Sequence, residues 1–63
     1  MVSEILKKDL INSIGRVIVL YLESGFKHEC EIISVDDECV KIKDIVKNKV
    51  KILKLSQIVE VDV

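Results

Sequence analysis

The sequence predicts a mainly β domain in which one N-terminal α-helix precedes a five-stranded, strongly bent antiparallel small barrel. Three observations carry that expectation. Residues 17–36, VIVLYLESGFKHECEIISVD, read as a long strand, a two-residue Glu23-Ser24 turn leading into Gly25, and a second long strand that closes on the acidic corner Asp36-Asp37-Glu38. Only the segment before Gly15 carries a helical period, and no proline occurs among the 63 residues to interrupt a strand. Short sequential strands of this kind close into small barrels.

The elements follow in order. Ser3 suits an N-cap, Glu4 favours the first helical turn, and Leu6, Leu10 and Ile14 recur at helical spacing, which predicts a helix over 4–13 ended by Asn12, Ser13 and Gly15. Residues 16–22 are a β-branched and aliphatic run with little alternation, the pattern of a strand covered on both faces, with the preceding helix as its cover. Residues 26–35 alternate: His28, Cys30 and Ile32 point one way, and Lys27, Glu29 and Glu31 the other. At Ile32-Ile33 both faces turn apolar, a change of phase expected where a strand bends at a barrel corner. Two strands follow over 39–44 and 46–55, with the turn placed at Lys43-Asp44 in preference to Lys47-Asn48-Lys49. After a break at Ser56-Gln57, a last strand over 58–63 sets Val59, Val61 and Val63 on one side. With no internal repeat, linker or low-complexity segment, residues 1–63 form a single domain.

A chain this short buries only about 60% of the surface its unfolded form exposes. Yet 49% of its residues are hydrophobic, so part of the apolar surface is expected against another subunit, the alternative being a well-packed monomer. Cys30 and Cys39 fall on different strands, and neither a CxxC redox site nor a four-ligand zinc site can be written from them. Neither a metal nor a cofactor is expected. MVSEILKKDL lacks the apolar stretch of a signal peptide, and no run approaches the ~20 apolar residues of a membrane span, so the chain reads as cytoplasmic with reduced thiols.

The formal net charge is −1 but unevenly placed. Residues 1–38 hold four bases against eight acids, and residues 39–63 hold six lysines against three acids. Those lysines are Lys41, Lys43, Lys47, Lys49, Lys51 and Lys54, and the odd-numbered spacing of all but the last predicts a shared face on a strand pair, where it forms either a basic binding surface or a solvated face that discourages edge aggregation.

The order helix then five strands, with Tyr21-Leu22-x-x-Gly25-x-Lys27, Ile32-x-Ser34-x-Asp36, Val40 and Leu55-Ser56-x-Ile58-Val59, resembles the Sm-like family over nearly the whole chain, and its Hfq branch most closely. The resemblance implies the small barrel of the Sm-like, SH3-like class. It further implies a homo-oligomeric ring of six or seven subunits, in which each fourth strand pairs with a neighbour's fifth strand and single-stranded RNA binds on the faces or in the pore. On the Hfq distal surface it places Tyr21, Gly25 and Lys27, with Asn48 and Gln57 as nearby polar side chains; a Tyr beside a Lys is suited to stack a base and hold a phosphate. Lys54 falls where Sm proteins carry an Arg before a Gly, although Leu55 stands at the Gly. Other positions also depart. Val40 occupies the nearest register to the uracil-reading Asn, Ile52 and Leu53 replace the Hfq pore's Lys-His pair, and Cys30 stands where the family has Gly at the strand bend.

Asp36, Asp37 and Glu38 alternate in direction and read as a solvated corner rather than a cation site. His28 is the only histidine, and no nucleophile-base pair or phosphate-binding glycine loop occurs, so the chain does not read as an enzyme. The leading expectation is a ring-forming RNA-binding protein. Its rivals are an Sm-like ring that has lost RNA binding and acts as a protein-interaction or assembly module, and a monomeric SH3-like barrel that binds a peptide.

Overall fold

The computed structural model describes residues 4–62. Helix α1 (Glu4–Asn12) is followed by β1 (Val17–Leu22), β2 (Lys27–Val35), β3 (Cys39–Asp44), β4 (Lys49–Lys54), a 3-10 turn (Leu55–Gln57) and β5 (Ile58–Asp62). The five strands form one antiparallel sheet in the order β4-β3-β2-β1-β5. The mainly β class and the element order agree with the sequence. Closure does not: β4 and β5 are edges of the sheet and share no ladder, so the barrel is not closed within one chain.

The sheet nevertheless curls. Laid flat, its edge strands would be separated by four spacings of ~4.8 Å, or ~19 Å. The three-residue turn that joins them rises only about 2 Å per residue. Two hydrogen bonds pin this connection: Leu55 N–H donates to Glu38 O at 2.8 Å, and Glu23 N–H to Gln57 O at 2.9 Å. Leu55 drops into the core between them.

Bulges supply the bending. In the β2–β3 ladder Ile32 faces Ile42 and Ser34 faces Lys41, leaving Ile33 as an extra residue at the predicted phase change. In the β1–β5 ladder Tyr21 faces Glu60 and Leu22 faces Ile58, so Val59 is the extra residue; it is exposed and does not share the inward side with half-buried Val61. Val63 and the expected N-cap Ser3 lie outside the described residues.

The concave face is the core, built from Leu10, Ile18, Leu20, Cys30, Ile32, Val40, Ile42, Leu55 and Ile58. Alternation on β2 follows the expected pattern, with Cys30 and Ile32 buried and Lys27 and Glu29 exposed. Strand β1 is not covered on both faces: Ile18 and Leu20 are buried, Val17 is exposed, and Val19 and Tyr21 are half-buried. Helix α1 packs across β2 and β5 on the concave side, so among the described residues no element covers the convex side of β1. Leu10 is the helix's buried anchor, while Ile14 lies past the helix end, bridged to Ile32. Ser13 is buried and donates through Oγ to Asp9 O at 2.7 Å.

Among the described residues more large hydrophobic side chains are exposed than make up the core, Ile52, Val50 and Val59 on the edge strands among them. With so small a core, each member matters. Ile32→Ala should lower unfolding free energy by about 2–5 kcal/mol, read from urea denaturation, because the cavity opens where β2, β3 and the helix end meet.

Candidate nucleic-acid interface

Tyr21 lies on the convex face of the sheet, directly opposite Lys27 on β2 and Glu60 on β5. The turn between β1 and β2 is closed by Gly25 N–H to Leu22 O at 2.9 Å and Leu22 N–H to Phe26 O at 2.8 Å. Gly25 has φ 93°, a conformation that a side chain disfavours, so the glycine lets the chain reverse in register and sets Lys27 beside Tyr21. The Glu23–Gln57 bond straps the exposed Gln57 against this turn. Four of the six sequence-selected residues, Tyr21, Gly25, Lys27 and Gln57, therefore lie around one end of β1.

Asn48 and Lys54 lie apart from that group. Asn48, with φ 55°, is in the β3–β4 turn, with β2 and β3 between it and Tyr21 in the sheet. Lys54 faces Cys39 in the β3–β4 ladder and borders Glu38 and Ser56 beside the acidic corner.

The β3–β4 turn falls at 45–48, not at the preferred Lys43-Asp44, and β4 starts at Lys49 rather than at residue 46. The cause is Asp44. Buried at the end of β3, its carboxylate accepts from Lys47 N–H at 3.1 Å and from Lys51 Nζ at 3.4 Å, with His28 Nδ1 at 3.6 Å. The Lys47 N–H, reinforced by Lys51, holds the Asp44 carboxyl below the ordinary aspartate range. Cys30 faces Asp44 across the ladder, and burial followed by that negative charge pushes its thiol up to about 11, which makes it an inert core group.

This turn also overturns the single lysine face. The ladder sets Lys41 opposite Ile52, Ile42 opposite Lys51, Lys43 opposite Val50 and Asp44 opposite Lys49. Odd-numbered residues of β3 thus share a face with even-numbered residues of β4. Lys41 and Lys43 lie on the convex face, and Lys49 and Lys51 on the other.

Phe26, expected at the start of a strand, is 69% exposed at the turn. With Lys27, His28, Val46 and Lys47, and with the carboxylates of Glu29 and Asp44, it lines a shallow cleft between the β1–β2 and β3–β4 turns. An aromatic immediately after a turn glycine was the available signal. Exposed aromatic area beside lysines is the chemistry that stacks bases and holds phosphates. Acids share the convex face, however: Glu60 flanks Tyr21, and Glu29 and Asp62 both face Val19.

At the acidic corner, Asp36 Oδ1 accepts from the N–H groups of Glu38 and Cys39, both at 2.9 Å, which lowers its pKa, and Asp37 Oδ1 pairs with Lys7 Nζ at 2.9 Å. The corner ties α1 to the β2–β3 turn. No group of three potential metal ligands occurs among the described residues, and none of their helices is long and apolar enough to cross a membrane. No family model, curated protein or solved structure matches this chain.

The Asp44 network carries a pH prediction. A carboxyl whose folded pKa is depressed contributes stability above its unfolded pKa and loses it as pH falls through the folded value. The wild-type urea midpoint should therefore drop as pH falls below about 4. Asp44→Asn should be less stable near neutrality and show a shallower acid decline; an unchanged acid slope would show that Asp44 is not the group responsible.

Proposed function

We propose that the chain is a non-enzymatic, Sm-like protein that assembles into a homo-oligomeric ring and binds single-stranded RNA. The observation that carries the reading is the sheet order β4-β3-β2-β1-β5, capped by an N-terminal helix. It leaves one outer edge each on the fourth and fifth strands, the pair that an Sm-like ring joins between neighbours. A curled sheet with two exposed edges closes by heterologous pairing to a second copy, which removes every edge. In this reading the finer fold is the Sm-like small barrel, completed between subunits.

RNA is placed on the convex face at the β1–β2 turn. Tyr21 supplies a stacking plane and Lys27 a phosphate contact, and Gly25 keeps the approach free of a side chain. Phe26 adds a second aromatic surface, with Lys27 and Lys47 beside it. Gln57 offers hydrogen bonds to base edges, while Asn48 and Lys54 serve at the margins. The protein works in the cytoplasm with reduced thiols and no cofactor.

A specific observation favours a second reading, a ring that has given up RNA for a protein partner. The row through Tyr21 ends on Glu60, and the adjacent row holds Asp62 and Glu29, so phosphates meet carboxylates close to the stacking residue.

Tyr21→Ala and Lys27→Ala separate the two. If RNA binds here, Tyr21→Ala should weaken binding of a fluorescent single-stranded oligonucleotide roughly tenfold, the loss expected from ~1–3 kcal/mol of stacking, and Lys27→Ala should weaken it and flatten its salt dependence through loss of a phosphate contact, while the assembly mass by light scattering stays that of wild type. Unchanged affinity in both variants removes this face from the model. No measurable RNA binding by the wild-type ring selects the protein-partner reading.

A further inference from the structure

The edge strands carry opposite charge without mixture. Strand β4 holds Lys49, Lys51 and Lys54 and no acid; β5 holds Glu60 and Asp62 and no base. Within the chain Lys51 is already engaged by Asp44. Lys49, Lys54, Glu60 and Asp62 are exposed and form no ion pair among the described residues. Each edge also presents exposed aliphatic surface, Val50 and Ile52 on β4 and Val59 on β5. Both edges therefore combine an apolar centre with charge of a single sign, and the signs are complementary.

We infer that this charge pattern selects the geometry of self-association: it favours pairing of β4 from one copy with β5 of the next and rejects pairing of like edges. The inference rests on the ring reading and adds what enforces it. Two β4 edges laid together set lysines against lysines, and two β5 edges set carboxylates against carboxylates; like charges directly across a ladder destabilise it. An isologous dimer, otherwise the commonest assembly, is thereby disfavoured at both edges. Opposite edges bring a wholly basic strand beside a wholly acidic one; because Lys49 and Lys51 share one face of β4 and Lys54 lies on the other, the attraction acts between the edges as a whole and not through one fixed row of pairs. The lysines of β4 then serve chiefly the interface, and the RNA face keeps those nearer the β1–β2 turn. Exposed charges are screened by salt, so this selection weakens as ionic strength rises past the point where the Debye length falls below about 10 Å.

Two charge-reversed proteins test the inference. Lys49→Glu/Lys54→Glu makes the exposed β4 charges acidic, and Glu60→Lys/Asp62→Lys makes β5 basic; all four sites are exposed, and circular dichroism checks that each variant remains folded. Mass is followed by light scattering at low salt. The wild type should form a closed multimer. Each variant alone now has like-charged edges and should fall to monomer, and an equal mixture should regain multimer in which the two variants alternate. Retention of the wild-type mass by both variants alone overturns the charge selection while leaving the ring reading standing. Assembly of the wild type into a dimer overturns the selection as well. A wild type that stays monomeric at every concentration overturns the ring reading itself, and the lysines of β4 are then an edge guard against aggregation.

Discussion

The connection Leu55–Gln57 constrains this molecule more than any other segment. Three residues join the two edges of a five-stranded sheet, and strands that far apart in a flat sheet cannot be reached by so short a link. The sheet must roll, and the rolled sheet makes a concave face narrow enough for Ile18, Leu20, Ile32, Val40 and Ile42 to meet around Leu55. The bulges at Ile33 and Val59 are where the ladders yield to that curvature. Helix α1 covers the concave side with Leu10 and is held at the β2–β3 corner by Lys7 and Asp37, an exposed pair that contributes more to placement than to stability.

Curling without closure has a cost. The backbone groups along β4 and β5 that face away from the sheet have no ladder partner among the described residues, and aliphatic side chains accompany them at the surface. A domain of this size has little stability in reserve, so in the proposed ring the edges that burden a monomer are the surfaces that assembly covers. The proposed RNA face is compatible with that assembly, because Tyr21, Gly25 and Lys27 lie around the β1–β2 turn on strands internal to the sheet, with only Glu60 and Gln57 brought in from the β5 side.

Much of this was legible in the sequence, for identifiable reasons. Helix period, strand alternation on β2 and the phase change at Ile32-Ile33 are local patterns, and the structure has the helix, the alternation and the bulge where those patterns put them. The β3–β4 hairpin was misplaced because Ile45 and Val46 have strand-like side chains, whereas the turn is fixed by the Asp44 carboxylate bonding back to Lys47 N–H, a contact that no periodicity records. The lysine face failed for a separate reason: an even-numbered loop, whether two residues at Lys43-Asp44 or the observed turn at 45–48, sets odd positions of one strand opposite even positions of the next, so lysines at odd positions of both strands fall on opposite faces. Cover on both faces of β1 was inferred from a lack of polar residues, but one helix can occupy only one side of the sheet. Of the candidate site, Tyr21 and Lys27 were associated only through the family resemblance: the two-residue Glu23-Ser24 turn expected from the sequence would set Tyr21 opposite Phe26, whereas the observed three-residue loop, closed by Leu22 and Phe26, sets it opposite Lys27. The exposure of Phe26 was hidden by its hydrophobicity, and the position of Lys54 beside the acidic corner depended on long-range pairing.

Hydrogen exchange at the two sheet edges tests the central claim most directly, because outward-facing amides of β4 and β5 acquire partners only if a second copy supplies them. In the concentrated wild-type protein, the outward amides of Lys49–Lys54 and Ile58–Asp62 should be protected to an extent comparable with the inner strands and should lose that protection together on dilution. Rapid exchange of both edges at all concentrations, with β1, β2 and β3 protected throughout, would contradict the account.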